Sequence, residues 1–204
     1  MRRVALYVTS VVLLGGSAWW SLSETTRPPG MINYRSASET VSKKLASITL
    51  LESNSGIDQT EFTEPEIDAF LHYELSQHYP QGLRQIRVRF QENLLLARAL
   101  VNFDKMHAEL DPSVILLLSV LLGGEHSLEV VSKLTTENGV GRYEILGVKL
   151  DGKEISRLLI DLLLLHYVIP KYPKAQQPNI DFNLPFKIQS IKLTPGKASV
   201  RYGM

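Results

Sequence analysis

The sequence predicts an α+β fold, with an antiparallel sheet of about six strands in three hairpins and long apolar helices packed on one face. Three observations predict it: segments that alternate apolar and polar residues, turn signals between pairs of such segments, and leucine-rich segments with helical spacing. We expect a single N-terminal transmembrane helix before this domain. The expected divisions are 1–23 as membrane anchor or signal peptide, 24–60 as a linker with an amphipathic helix, and 61–204 as the exported α+β domain.

The N-terminal segment determines the expected location. Residues 4–22 are an uncharged run of 19 residues that follows Arg2 and Arg3. At about 1.5 Å of rise per residue, a helix of this length spans roughly the hydrocarbon layer of a bilayer. The two arginines favour a cytoplasmic N-terminus and a domain on the periplasmic or extracellular side. A cleaved signal peptide, followed by secretion, is the alternative, because Gly16 and Ala18 are small enough for cleavage recognition.

Composition excludes several function classes. The chain of 204 residues has no cysteine, which excludes disulfides, thiolate metal sites and cysteine nucleophiles. Its net charge of +1 gives no reason to expect a nucleic-acid partner. No G-x-S-x-G or phosphate-binding glycine loop occurs, and no two histidines share an H-x-x-x-H spacing. We therefore expect no catalytic residues, no metal site and no cofactor, and an enzyme is the least favoured of the functions considered.

Two amphipathic helices are predicted after the N-terminal segment, one in the linker and one at the start of the domain. Ser38 is expected to cap the first, over 38–52. The second starts at Thr63, a capping hydroxyl followed by Pro65 in the first turn and by Glu66 three residues on. Acidic residues in its first turns are explained by the helix dipole.

Three hairpins are predicted from alternation and turn residues. The first turns at Glu92-Asn93, the second at Glu137-Asn138-Gly139 with Gly147 as a bulge, and the third at residues 194–197. Their strands cover about 86–103, 128–150 and 186–202.

Leucine-rich segments give the main functional hypothesis. Residues 114–122 and a helix over about 153–169 are apolar on almost every side. Alanines in the first return strand leave room against the sheet, so an apolar groove for a lipid or acyl chain is one interpretation. A filled protein core is the other. The candidate lining residues are Ala97, Ala99, Leu117, Leu121, Leu159 and Leu163.

A second candidate surface is basic. Arg87 and Arg89 share one face of a predicted strand, with Arg98 expected across the hairpin. They would suit lipid phosphates or an acidic envelope protein, whereas an ordinary exposed sheet face that discourages aggregation is the alternative.

The segment Phe62-Thr63-Glu64-Pro65-Glu66-Ile67-Asp68-Ala69-Phe70-Leu71, followed by a charged strand and an apolar return strand, resembles a pattern in bacterial envelope domains. With the N-terminal anchor, it resembles the YpmS-like and LmeA-like families over about 61–202. The resemblance implies a membrane-anchored envelope domain, with lipid binding proposed for some members, and it supplies no catalytic motif. The expected function is non-enzymatic lipid binding; a protein–protein interaction or scaffold module is the alternative.

Overall fold

The computed structural model describes residues 34–50, 57–105, 122–165, 175–176 and 179–203. Three α-helices and ten strands are assigned within these ranges. The helices are α1 (Tyr34–Leu50), α2 (Glu64–Phe70) and α3 (Arg157–Leu163). The strands are β1 (Ile57–Thr63), β2 (Leu83–Gln91), β3 (Leu94–Asn102), β4 (Glu125–Glu137), β5 (Val140–Leu150), β6 (Lys153–Glu154), β7 (Ala175–Gln176), β8 (Asn179–Asn183), β9 (Ile188–Thr194) and β10 (Lys197–Gly203).

The strands form two antiparallel sheets. The larger has the order β2-β3-β4-β5-β8-β7, with β6 paired to β5, and the smaller has the order β1-β10-β9. The α+β class and an antiparallel sheet of about six strands are therefore confirmed. The placement of all three hairpins in one sheet is wrong, because the third hairpin, β9–β10, pairs with β1 instead.

Turn residues place the hairpins as expected. Asn93 and Asn138 have φ values of +56° and +50°, and Gly139 has +79°. Asparagine and glycine adopt this left-handed region more readily than other residues, so tight connections form at these positions. The β4–β5 pairing shifts register between Val131 and Ser132, opposite Gly147 and Ile145, which puts the bulge where Gly147 predicted it.

Helix α1 and strand β1 differ from the sequence prediction. The helix begins at Tyr34, and Ser38 lies inside it, buried, rather than at its cap. Val41 and Ile48 turn into the core. Strand β1 crosses the expected linker boundary at residue 60 and pairs with β10 along its whole length. Phe62 is the single buried side chain of this strand, so its sequence lacks the alternation of apolar and polar residues that indicates a strand.

Helix α2 begins where its capping signal predicted. The Thr63 hydroxyl accepts a hydrogen bond from the Glu66 amide, and the Glu66 carboxylate accepts one from the Thr63 amide at 2.8 Å. This reciprocal pair satisfies two donors that a helix start leaves open. The helix continues as a wider turn, Leu71–Leu75, and then as a 3₁₀ turn, Ser76–His78.

Strand β9 joins the two sheets. The Thr136 hydroxyl of β4 donates to the Ile191 carbonyl at 2.9 Å and accepts from the Ile191 amide at 2.7 Å. The amides of Asn93 and Gly139, in the two hairpin turns, donate to carbonyls of β9. The ends of both hairpins are thereby fastened to the small sheet.

Buried apolar residues of both sheets and all three helices form one cluster. No helix in the described ranges is long and apolar enough to cross a membrane. The expected transmembrane run at 4–22 lies outside those ranges, as does most of the leucine-rich segment at 114–122. Of that segment the structure describes Leu122, which is buried.

Candidate functional site

The expected apolar lining falls partly within the described structure. Ala97 and Ala99 are buried on β3, and Leu159 and Leu163 of α3 are half-buried and pack against the same cluster of core residues. Leu117 and Leu121 lie outside the described residues. Four of the six candidates therefore belong to the apolar interior shared by helix and sheet.

Helix α3 is apolar except for one exposed ion pair, in which Arg157 Nε lies 3.0 Å from Asp161 Oδ1. It is shorter at its start than predicted, because Lys153 and Glu154 form strand β6 and Ser156 caps the helix by accepting from the Leu159 amide. Leu158 is 79% exposed and Leu165, just past the helix, is 51% exposed. Leu158 and Leu165 therefore add exposed apolar surface beside the buried face; such surface marks a lipid or protein contact site where it is contiguous.

The two arginines do not form one basic face. Arg87 is exposed and stands across from Arg98, which forms an ion pair with Glu129. Arg89 instead points between two carboxylates of α2, with 3.1 Å from its Nη1 to Asp68 Oδ2 and 3.6 Å from its Nε to Glu64 Oε2. Its charge is matched within the fold because α2 crosses this edge of the sheet.

The same two carboxylates bind the backbone of β2. Asp68 Oδ1 accepts from the Val88 amide at 2.8 Å, and Glu64 Oε1 accepts from the Phe90 amide at 2.6 Å. Strand β2 is the terminal strand of the large sheet, so these amides have no neighbouring strand to donate to. Helix α2 therefore takes the place of a strand at this edge, which we call the α2–β2 edge lock.

The spacing of the lock follows from the geometry of the two elements. Four residues of α-helix rise about 6 Å, and two residues of strand rise about 6.8 Å. Carboxylates at positions 64 and 68 therefore match amides at positions 90 and 88 when the helix runs antiparallel to the strand. From the sequence, Glu64 and Asp68 were explained by the helix dipole. Their i, i+4 spacing, just before a strand of alternating apolar and polar residues, is the pattern that could have indicated their contact with β2.

Burial sets the electrostatics of the lock. It raises the pKa of Asp68, against the opposing effects of the Val88 amide and Arg89. It also raises the pKa of Glu64, against the Phe90 amide and Arg89. Burial acts the same way on Glu66, but hydrogen bonds from Lys44 and Thr63 outweigh it and lower the pKa of Glu66. In α2, Glu64 and Asp68 therefore bind the amides of the edge strand, whereas Glu66 caps the helix.

The acidic side chains of α2 are engaged in contacts within the fold. Within the described part of the chain, no group of three histidine, aspartate or glutamate side chains could hold a metal ion. The carboxylates of the edge lock are engaged by backbone amides and Arg89, which leaves them poorly placed for acid–base work on a substrate. Among the described residues, those open to a ligand include the exposed leucines at α3 and Arg87.

Comparison of the chain with protein-family models, with curated proteins and with solved structures found no match.

Proposed function

We propose that this chain is a non-enzymatic, membrane-anchored protein of the cell envelope whose α+β domain binds a lipid or acyl chain between its apolar helices and the large sheet. The uncharged run at 4–22 would anchor it, and the domain would lie on the periplasmic or extracellular side. This is the function implied by the resemblance to the YpmS-like and LmeA-like families.

The observation that carries the proposal is the character of α3. Ile160 of α3 and Leu164, just past it, lie in the core, while Leu158 and the following Leu165 are exposed. A helix that only filled the core would present a polar outer face to water, whereas here the two leucines are exposed beside the Arg157–Asp161 ion pair. On the sheet, Ala97 and Ala99 are small residues within the same apolar cluster, where a larger side chain would take up room.

Native mass spectrometry of the full chain, purified in mild detergent, tests the proposal. We expect a lipid retained at one copy per chain in the wild type. Ala99→Leu adds three carbons to the buried inner face and is expected to reduce the retained lipid. Leu159→Asn, on the half-buried side of α3, is expected to do the same because it makes the contact polar.

Matched variants separate lipid binding from general damage. Ala198→Leu makes the same change at a buried alanine of β10, in the other sheet, and Leu146→Asn makes the same change at an exposed leucine of β5, away from α3. Both are expected to keep the lipid, and circular dichroism checks that each variant is folded. The proposal fails if the folded wild type carries no lipid, or if all four variants retain it equally.

A protein–protein interaction module is the second candidate, and the exposed Arg87 favours it. Arg87→Glu reverses a charge on the surface, whereas Arg89→Glu breaks an internal ion pair with Asp68. If Arg87 contacts an acidic envelope partner, chemical crosslinking in intact cells should lose that partner with Arg87→Glu. Arg201→Glu, at another exposed arginine, in β10, is the control. Unchanged crosslinks with Arg87→Glu would exclude this contact.

A further inference from the structure

His126 has hydrogen-bond partners on both ring nitrogens. Its Nδ1 lies 2.6 Å from Asp151 Oδ2, and its Nε2 lies 3.0 Å from the carbonyl oxygen of Gly123. His126 belongs to β4, Asp151 to the turn between β5 and β6, and Gly123 to the segment just before β4. One imidazole therefore connects three parts of the chain at this end of the large sheet.

Both partners are hydrogen-bond acceptors. A neutral imidazole has one N–H donor, whereas the imidazolium has two. With the neutral ring, one of the two contacts would place a nitrogen lone pair against an oxygen lone pair. The arrangement is therefore complete only when His126 carries its second proton.

The carboxylate is held in place independently of the histidine. Asp151 Oδ1 accepts from the Ser127 amide at 2.8 Å, and the Asp151 amide donates to the Ser127 carbonyl at the same distance. Asp151 adopts a φ of +50°, which aspartate tolerates better than most residues. The acceptor for Nδ1 is thus fixed by the backbone of the turn and does not have to move when the histidine titrates.

The surrounding charges favour the imidazolium. Asp104, in the 3₁₀ turn after β3, adds negative charge and accepts from the Gly124 amide at 2.7 Å. On β4 itself, Glu125 is paired with Arg84 of β2. Lys153 of β6 acts on Asp151. The charged groups that neighbouring elements bring to the ring, Asp151 and Asp104, are therefore acidic.

We propose that His126, Asp151 and the Gly123 carbonyl form a proton-dependent clasp, which fastens the start of β4 to the β5–β6 turn and loosens when His126 loses its proton. The ring is about 20% exposed, so protons from solvent reach it. The clasp would make the stability of this end of the sheet respond to the pH around the protein.

The direction of the response follows from the bonds. The hydrogen bond to Asp151 raises the pKa of His126, with smaller support from Gly123. A histidine with a raised pKa in the folded state contributes stability that is fully present below its ordinary pKa of 6.5 and lost as pH rises through the folded-state pKa. The hydrogen bond from His126 lowers the pKa of Asp151. The stability that ionised Asp151 contributes is therefore lost only in acid, below its ordinary pKa of 3.8.

Proton NMR titration of the histidine ring signals in the full chain, in detergent micelles, tests the clasp directly. Comparison with His126→Gln identifies the His126 signal. We expect its midpoint to lie above that of an unperturbed histidine, and to fall in Asp151→Asn, which keeps a residue suited to positive φ but removes the charge. A midpoint at or below the unperturbed value would overturn the proposal.

Thermal unfolding followed by circular dichroism gives the second readout. Between about pH 6 and about pH 9, where histidine titrates, the unfolding equilibrium constant of the wild type should increase several-fold more than that of His126→Gln. His78→Gln, at an exposed histidine, is the control and should follow the wild type. If His126→Gln also follows the wild type across this range, the clasp does not contribute and the proposal is wrong.

Discussion

Removing one carboxylate from the α2–β2 edge lock should expose one amide of the edge strand. Asp68→Ala takes away the acceptor of the Val88 amide, whose residue is 1% exposed, and also a partner of Arg89. A buried donor left without an acceptor costs about 1–3 kcal/mol, and more where the lost acceptor was charged. We expect a loss of about 2–3 kcal/mol in the free energy of unfolding, which corresponds to roughly a 30- to 150-fold change in the equilibrium constant.

Amide hydrogen exchange measured by NMR on the full chain distinguishes the lock from general destabilisation. Asp68→Ala should speed exchange at Val88 more than at Phe90. Glu64→Ala should do the reverse, because its carboxylate binds the Phe90 amide. Each variant is thus the control for the other. If both amides respond equally to both variants, the carboxylates do not protect individual positions of the strand and the reasoning fails.

Asp68→Asn separates the hydrogen bond from the charge. The asparagine oxygen can still accept from the Val88 amide, so this variant should cost less than Asp68→Ala. Burial raises the pKa of Asp68, so the folded state binds a proton more tightly than the unfolded state. The contribution of Asp68 to stability therefore falls as pH rises from about 4 through the folded-state pKa. That part of the pH dependence should be missing in Asp68→Asn, as urea unfolding at several pH values would show.

Three further predictions concern the two sheets and the helix start. In Gly141→Ala, the new Cβ would lie 2.7 and 2.8 Å from two ring carbons of Phe182 and nearer still to a third; we expect a lower melting temperature, partly restored by Phe182→Leu in the same chain. Thr136→Val removes both hydrogen bonds to Ile191 and should cost about 2 kcal/mol in urea unfolding, whereas Thr136→Ser should cost less. Thr63→Ala should cost about 1 kcal/mol as a lost cap, and an unchanged midpoint in the same assay would contradict it.

Local signals in the sequence were sufficient for the features formed by neighbouring residues. The capping box at Thr63 and the turns at Asn93 and Asn138 appear where predicted, because the groups that form them are a few residues apart. The alternation in β2 to β5 likewise predicted their pairing as hairpins. The fold class followed from these elements.

Features that depend on distant partners were not predictable in this way. Strand β1 lacks strong alternation and is specified by its pairing with β10, about 140 residues later. Arg89 looked like a free surface charge because its partners, Glu64 and Asp68, are on a helix whose position against β2 no local pattern encodes. The hydrogen bond between His126 and Asp151 likewise joins residues 25 positions apart, which no local pattern indicates. In each case the missing information was which elements lie side by side.

The hydrogen bonds between β9 and the two hairpin turns have a consequence for the order in which the chain folds. The small sheet forms only when β1 (57–63) pairs with β10 (197–203). Its third strand, β9, is hydrogen-bonded to the two hairpin turns of the large sheet. Such long-range closure is slow compared with helix or hairpin formation. As the chain is synthesised, β1 therefore has no partner strand until residues 197–203 are available, so assembly of the small sheet is deferred until β10 is present.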